Sequence, residues 1–139
     1  MTVPDMVSLA DAAPADAARP GVAAIRRAVA ADVPRLVALE NAVFASDRLS
    51  QRSLRTLIAR PSASVLVAES AGRLVGALVV LYRRSSRLAR LYSLSVAPGM
   101  RGAGLGGLLL AAAEDDARGR GAGAMRLEVR SDNAGAIAL

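Results

Sequence analysis

Ser93-Leu94-Ser95-Val96-Ala97-Pro98-Gly99-Met100-Arg101-Gly102-Ala103-Gly104-Leu105-Gly106-Gly107 is the stretch from which the rest of the chain is read. Its first residues form a strand that ends near Val96, because Pro98 has no N–H to give to a sheet ladder and Gly99 favours a turn. Leu105, Leu108, Leu109 and Ala112 then recur at i, i+3, i+4 and i+7, the apolar stripe of an amphipathic helix. Between strand and helix lies Arg101-Gly102-Ala103-Gly104-Leu105-Gly106, followed by Gly107. Glycines let the backbone come close to a ligand and aim several N–H groups at one point, with the positive end of the helix dipole behind them. Such a turn suits an anion, and a pyrophosphate is the expected guest. A tight turn before a helix also wants glycine, so the motif alone leaves a purely structural reading open.

The glycine spacing is not the Gly-x-Gly-x-x-Gly of dinucleotide sites. The phosphate loop ending in Gly-Lys-Ser/Thr is also missing, because all 18 basic residues are arginine. Arg-x-x-Gly-x-Gly after a strand ending Val-Ala-Pro resembles the acetyl-coenzyme A motif of the GNAT N-acetyltransferase superfamily. A second segment agrees with it. Leu127-Glu128-Val129-Arg130-Ser131-Asp132-Asn133-Ala134-Gly135-Ala136-Ile137-Ala138-Leu139 resembles the matching stretch of the RimI-type ribosomal-protein alanine N-acetyltransferases. The likeness runs from about Val22 to Leu139, with its specific motifs after Ser93.

That resemblance implies transfer of the acetyl group of acetyl-coenzyme A to a primary amine, with a protein N-terminal α-amine as the expected acceptor. It implies that Arg101 to Gly107 hold the cofactor's phosphates and that Asn133 contacts its pantetheine arm. Strands 87–96 and 125–130 are expected to splay so that the arm enters between them. Backbone groups at Leu94, Ser95 and Val96 then stabilise the developing oxyanion. Glu128 is similar to the branch's general base, acting directly or through water. The residues themselves permit a plainer account: Arg126 and Arg130 flank Glu128 on one strand face and can simply pair with it, keeping it ionised but weakly basic. Asn133 can equally serve as a helix cap, and Arg101 as a surface charge.

Composition narrows the alternatives. The chain has 139 residues, 53% of them hydrophobic, and only Phe44, Tyr82 and Tyr92 are aromatic. Such a length fits one domain with a real core. The net charge of +6 admits an anionic partner. Its arginines are dispersed, however, and stacking aromatics are few, so a nucleic-acid-binding domain is the weakest of three functional readings. Between it and the enzyme stands a coenzyme A-binding module without turnover. The absence of cysteine and histidine rules out disulfides, thiol nucleophiles, histidine triads and thiolate or imidazole metal sites. No metal is expected, and the acidic run Glu114-Asp115-Asp116 reads as a solvated helix face. There is no signal peptide or membrane-length apolar run, so the expected location is cytoplasmic, with no membrane partner.

Taken in order, residues 1–20 are rich in alanine, proline and aspartate and read as a disordered tail, with the domain occupying 21–139. A strand is expected over Val22 to Val29, then a helix behind Asp32 ending near Phe44, and a second helix capped by Ser50 and stopped by Pro61. Ser64 to Glu69 and Arg73 to Tyr82 form a hairpin about Ala71-Gly72. Arg87 to Val96 leads to the glycine turn, and Met125 to Arg130 follows the central helix. The result is an α/β (α+β layered) arrangement, the GNAT fold, in which the helix crossover makes the last two strands parallel. Relatives of this kind continue past Leu139 with a tyrosine acid and further strands. Their absence predicts a C-terminally shortened chain with the 125–130 strand as an exposed edge, open to a strand-sharing dimer. Acceptor choice is expected to sit largely in the loop near Phe44 to Arg52 and in the C-terminal hairpin that such relatives carry beyond Leu139.

Overall fold

The computed structural model describes residues 2–8 and 24–130. Six strands, β1 (Thr2–Ser8), β2 (Ile25–Arg27), β3 (Ala63–Ser70), β4 (Arg73–Tyr82), β5 (Leu88–Val96) and β6 (Ala124–Arg130), form one mixed sheet in the order β1-β6-β5-β4-β3-β2. Helices α1 (Val33–Val43) and α2 (Gln51–Ala59) lie between β2 and β3, and α3 (Leu105–Gly119) joins β5 to β6. The α3 crossover makes β5 and β6 parallel, while all other neighbouring strands are antiparallel. This is the α/β layering that the sequence pattern predicts.

The period-two alternation of the strands sorts the core into two layers. Leu66, Ala68, Leu78, Val80, Leu91 and Leu94 face α3 through Leu105, Leu109 and Ala113. Val65, Val67, Ala77 and Val79 face α1 and α2 through Leu36, Leu39 and Leu54. Gly76 lets α3 sit against the sheet backbone, since a Cβ there would stand 2.8 Å from Leu109 Cδ1 and 3.3 Å from the Ser95 carbonyl oxygen. The β3–β4 hairpin closes through Ala71 (φ 50) and Gly72 (φ 77), two left-handed residues whose twist matches that of the strands. Ser50 caps α2, its Oγ accepting the Ser53 N–H at 3.0 Å.

Three expectations are corrected. Thr2–Ser8, read as part of a disordered tail, pair antiparallel with Ala124–Arg130. The outer edge of β6 is therefore covered by the chain's own residues instead of standing open to a second copy, and Pro4 is tolerated because β1 is itself an edge strand. Asp32 precedes α1 as expected but does not cap it with its side chain. A 3₁₀ turn, Ala30–Asp32, gives it helical dihedrals, and its carboxylate turns back to the Val29 N–H (2.8 Å), Arg26 and Arg35. Finally, Asp116 is no solvated surface acid, for reasons given with the site.

Candidate active site

The site begins where β5 and β6 part. Their parallel ladder has four pairs, Leu88↔Ala124 to Leu91↔Leu127, and no pair joins them beyond, although β5 runs on to Val96 and β6 to Arg130. The cause lies on the other side of β5. Val79 and Val80 of β4 stand opposite Ser93 and Leu91, so Tyr92 is an extra residue, a β-bulge. A bulge bends its strand and increases its twist, and this one falls one residue past the last ladder pair. Beyond it, Ala97 N–H bonds to Val75 O at 2.8 Å. Alternation along the strand then turns the backbone of Leu94 and Val96 away from β4, toward the parted β6. Ser95 is the exception among the three expected contacts. Its carbonyl lies beside Gly76 and its hydroxyl reaches Ala77 O at 3.4 Å, so Ser95 belongs to the β4 side.

At the C-terminal end of β5 the chain makes a 3₁₀ turn, Pro98–Met100, and then the glycine turn. Gly102 (φ 84) and Gly104 (φ 80) hold left-handed backbone that other residues adopt at a cost. Gly104 is the N-cap of α3, with no side-chain cap and no acidic residue in the first turn. The first N–H groups of a helix have no partner within it, so those of Leu105, Gly106 and Gly107 are left unpaired by the helix at the glycine turn. Arg101, Gly102, Ala103 and Gly104 are exposed there, and a Cβ at Gly102 would meet nothing within 4 Å. The Leu105 side chain, by contrast, is a core residue at 1% exposure. Only its backbone is available to a ligand.

Glu128 is the first β6 residue past the last ladder pair. Its Oε2 accepts from Arg90 Nη2 at 3.1 Å, and its Oε1 lies 3.5 Å from Arg126 Nη1. The Arg90 hydrogen bond, aided by the Arg126 charge, outweighs desolvation and holds the carboxyl below its ordinary range. Arg126 was legible as a neighbour; Arg90 was not, because it arrives through the parallel register Arg90↔Arg126. Asn133 lies outside the described residues.

Two further acidic residues emerge only in three dimensions. Asp116 of α3 accepts hydrogen bonds from Ser64 Oγ and Tyr82 Oη, both at 2.6 Å, and pairs with Arg27 and Arg120. Arg120 also stacks over the Tyr82 ring at 4.4 Å. Burial pushes the Asp116 carboxyl up, but these hydrogen bonds and charges prevail and hold it below its usual value. Burial and Asp116 together raise Tyr82. Glu40 of α1, 4% exposed, accepts the Leu49 N–H at 2.6 Å and so fixes the fold of the α1–α2 loop. Among the described residues no helix is long and apolar enough to cross a membrane, and no three acidic side chains cluster as metal ligands.

Known proteins share this architecture. The PaiA N-acetyltransferase of Thermoplasma acidophilum, solved in complex with coenzyme A, superimposes with a TM-score of 0.72 at 20% identity, covering 82% of this chain and 83% of that one. The ribosomal-protein-S18-alanine N-acetyltransferase of Escherichia coli gives a TM-score of 0.70 at 24% identity, covering 82% and 71%. In sequence, the streptothricin acetyltransferase of Streptomyces lavendulae is 44% identical over 66 residues, which is 48% of this chain and 35% of that protein. The aligned part thus spans about a third of that relative's length. A profile of the Acetyltransferase (GNAT) family matches residues 32–139, which takes in the parted strands, the glycine turn and Glu128, and the chain belongs to that family.

Proposed function

We propose that the chain transfers the acetyl group of acetyl-coenzyme A to a primary amine, the α-amine of a protein or peptide N-terminus. The parting of β5 from β6, with the glycine turn at one end and Glu128 at the other, carries the reading. Gly102, Ala103 and Gly104, the N–H groups of Leu105, Gly106 and Gly107, and the Arg101 guanidinium suit the diphosphate. Backbone groups of Leu94 and Val96 suit the pantetheine arm and the carbonyl oxygen. The cofactor supplies the acyl carbon as a thioester, activated toward attack. An α-amine titrates near ~8, so part of it must lose a proton at neutral pH. Glu128 receives that proton, directly or through water, which frees the nitrogen lone pair. The N–C bond then forms, the C–S bond breaks with its electron pair departing on sulfur, and the second nitrogen proton passes to the thiolate or to solvent. Likeness of Leu127-Glu128-Val129-Arg130 to the RimI-type segment, together with the Escherichia coli fold neighbour, supports the α-amine as acceptor.

The test is Glu128→Gln, assayed near neutral pH with a peptide acceptor. Removing a general base lowers kcat/KM by roughly 100-fold, while stabilisation by acetyl-coenzyme A, about 2.7 kcal/mol at a hundred times Kd, is retained. An unchanged rate overturns the role of Glu128. One observation favours a second reading, a module that binds coenzyme A without turnover: two guanidinium groups share the Glu128 carboxylate and lower its basicity. Full thermal stabilisation by acetyl-coenzyme A, with no product from any peptide or small amine, would select it.

A further inference from the structure

The face of β5 and β6 opposite α3 carries a cavity of about 310 Å³ lined by Arg83, Ser86, Leu88, Arg90, Arg126 and Glu128. It lies by the N-terminal half of β5, so it opens at the far end of that strand from the glycine turn at Pro98–Gly104. Three arginines face a single carboxylate. Arg90 and Arg126 share Glu128, and the Arg83 side chain forms no ion pair or hydrogen bond among the described residues. Among the described residues the cavity walls therefore hold more positive than negative charge, in the same cavity as the proposed base.

The cofactor's diphosphate is proposed above to sit at the helix N-terminus, at the other end of β5 from this cavity. We infer that the cavity is an anion subsite for the acceptor, selecting amines that carry a carboxylate close to the reacting nitrogen, such as a peptide with an acidic second residue. The inference rests on the acetyl-transfer reading for the placement of the amine at Glu128. Arg83 supplies the selecting charge, and Arg126 shares it with Glu128. A polycationic acceptor is disfavoured by the same charges, since like charges brought together in a partly desolvated cavity repel.

Three peptides that differ only at the second residue, Ala-Asp, Ala-Ala and Ala-Lys at their N-termini, compare the charges directly, with spermidine as a polycationic amine. The expected order of kcat/KM is Asp over Ala over Lys, with about a 10-fold spread that shrinks as salt is added. In Arg83→Ser the spread falls below about threefold while the Ala-Ala rate stays within about twofold, because Arg83 touches no proposed catalytic group. A second readout separates this inference from the transfer reading: titration of the same peptides into the protein saturated with coenzyme A. Tighter binding of Ala-Asp, lost in Arg83→Ser, upholds the subsite even if no peptide is acetylated. Equal binding of the three, a preference for Ala-Lys or spermidine, or a spread unaltered by Arg83→Ser overturns it.

Discussion

Helix α3 begins at Gly104 with no side-chain cap and no acid in its first turn, whereas its last turns are tied to the sheet through Asp116 and Arg120. At the first end the backbone is bare and its donors point outward. At the second, a carboxylate collects two hydroxyls and two guanidinium groups, and Gly121 (φ 84) closes the helix. An acid in the last turns of a helix opposes the dipole, so Asp116 is placed against the local field, with Arg118 and Arg120 beside it. The contrast teaches that apolar packing holds both ends of the helix, while its polar side-chain contacts gather at one end and are kept off the other. Side-chain interactions at the glycine end would compete with an anion for the same donors.

If the ends are independent, breaking one leaves the other intact. The largest effect is expected from Asp116→Ala, which strands the hydroxyls of Ser64 and Tyr82 and removes the partner of Arg27 and Arg120. A loss of about 3 kcal/mol in urea-induced unfolding is expected, with the thermal shift from acetyl-coenzyme A preserved. Loss of that shift in a variant that still folds would join the two ends energetically and end the comparison. Next is Gly104→Val. A β-branched side chain at φ 80 costs about 1–2 kcal/mol and disturbs the turn proposed to hold the diphosphate, so acetyl-coenzyme A is expected to bind at least ~10-fold more weakly, about 1.4 kcal/mol. Calorimetric titration reads this, and unaltered affinity would remove the glycine turn from the cofactor site.

The smallest effect sharpens the contrast through pH. Asp116 titrates below its usual value in the folded chain, against about 3.9 when unfolded. Its contribution is therefore complete above the unfolded value and is lost as pH falls through the folded one. The stability gap between the wild type and Asp116→Asn is expected to narrow as pH falls below about 5, through the unfolded value and on through the lower folded one, as followed by urea midpoints. A gap constant over that range would show that the Asp116 charge contributes nothing.

Much of this was legible beforehand because it depends on local chemistry. The β3–β4 hairpin follows from Ala71-Gly72, the α2 cap from Ser50, and the glycine turn from Pro98 to Gly107. What stayed hidden depends on register between distant segments. Arg90 reaches Glu128 because β5 and β6 are parallel with Leu88 opposite Ala124, and no sequence pattern states that offset. Asp116 looked like one of three solvated acids until Ser64 and Tyr82 arrived from two other strands. Thr2–Ser8 were read by composition, although a strand with a ready partner edge needs little intrinsic preference of its own.

For the cofactor placement proposed above, the four-pair ladder between β5 and β6 would act as a depth stop. From Tyr92 to Val96 the open part of β5 is about 16 Å long at ~3.3 Å per residue, and it ends where Leu91 meets Leu127. For the thioester proposed here, that stop sets how far an acyl group can extend before it meets the acceptor. It is built from main-chain hydrogen bonds, so exchanging side chains along the slot alters its width and polarity but not its length. A chain of this design would change the acyl length it accepts only by moving the bulge at Tyr92 or shifting the strand register, a change of one residue at a time.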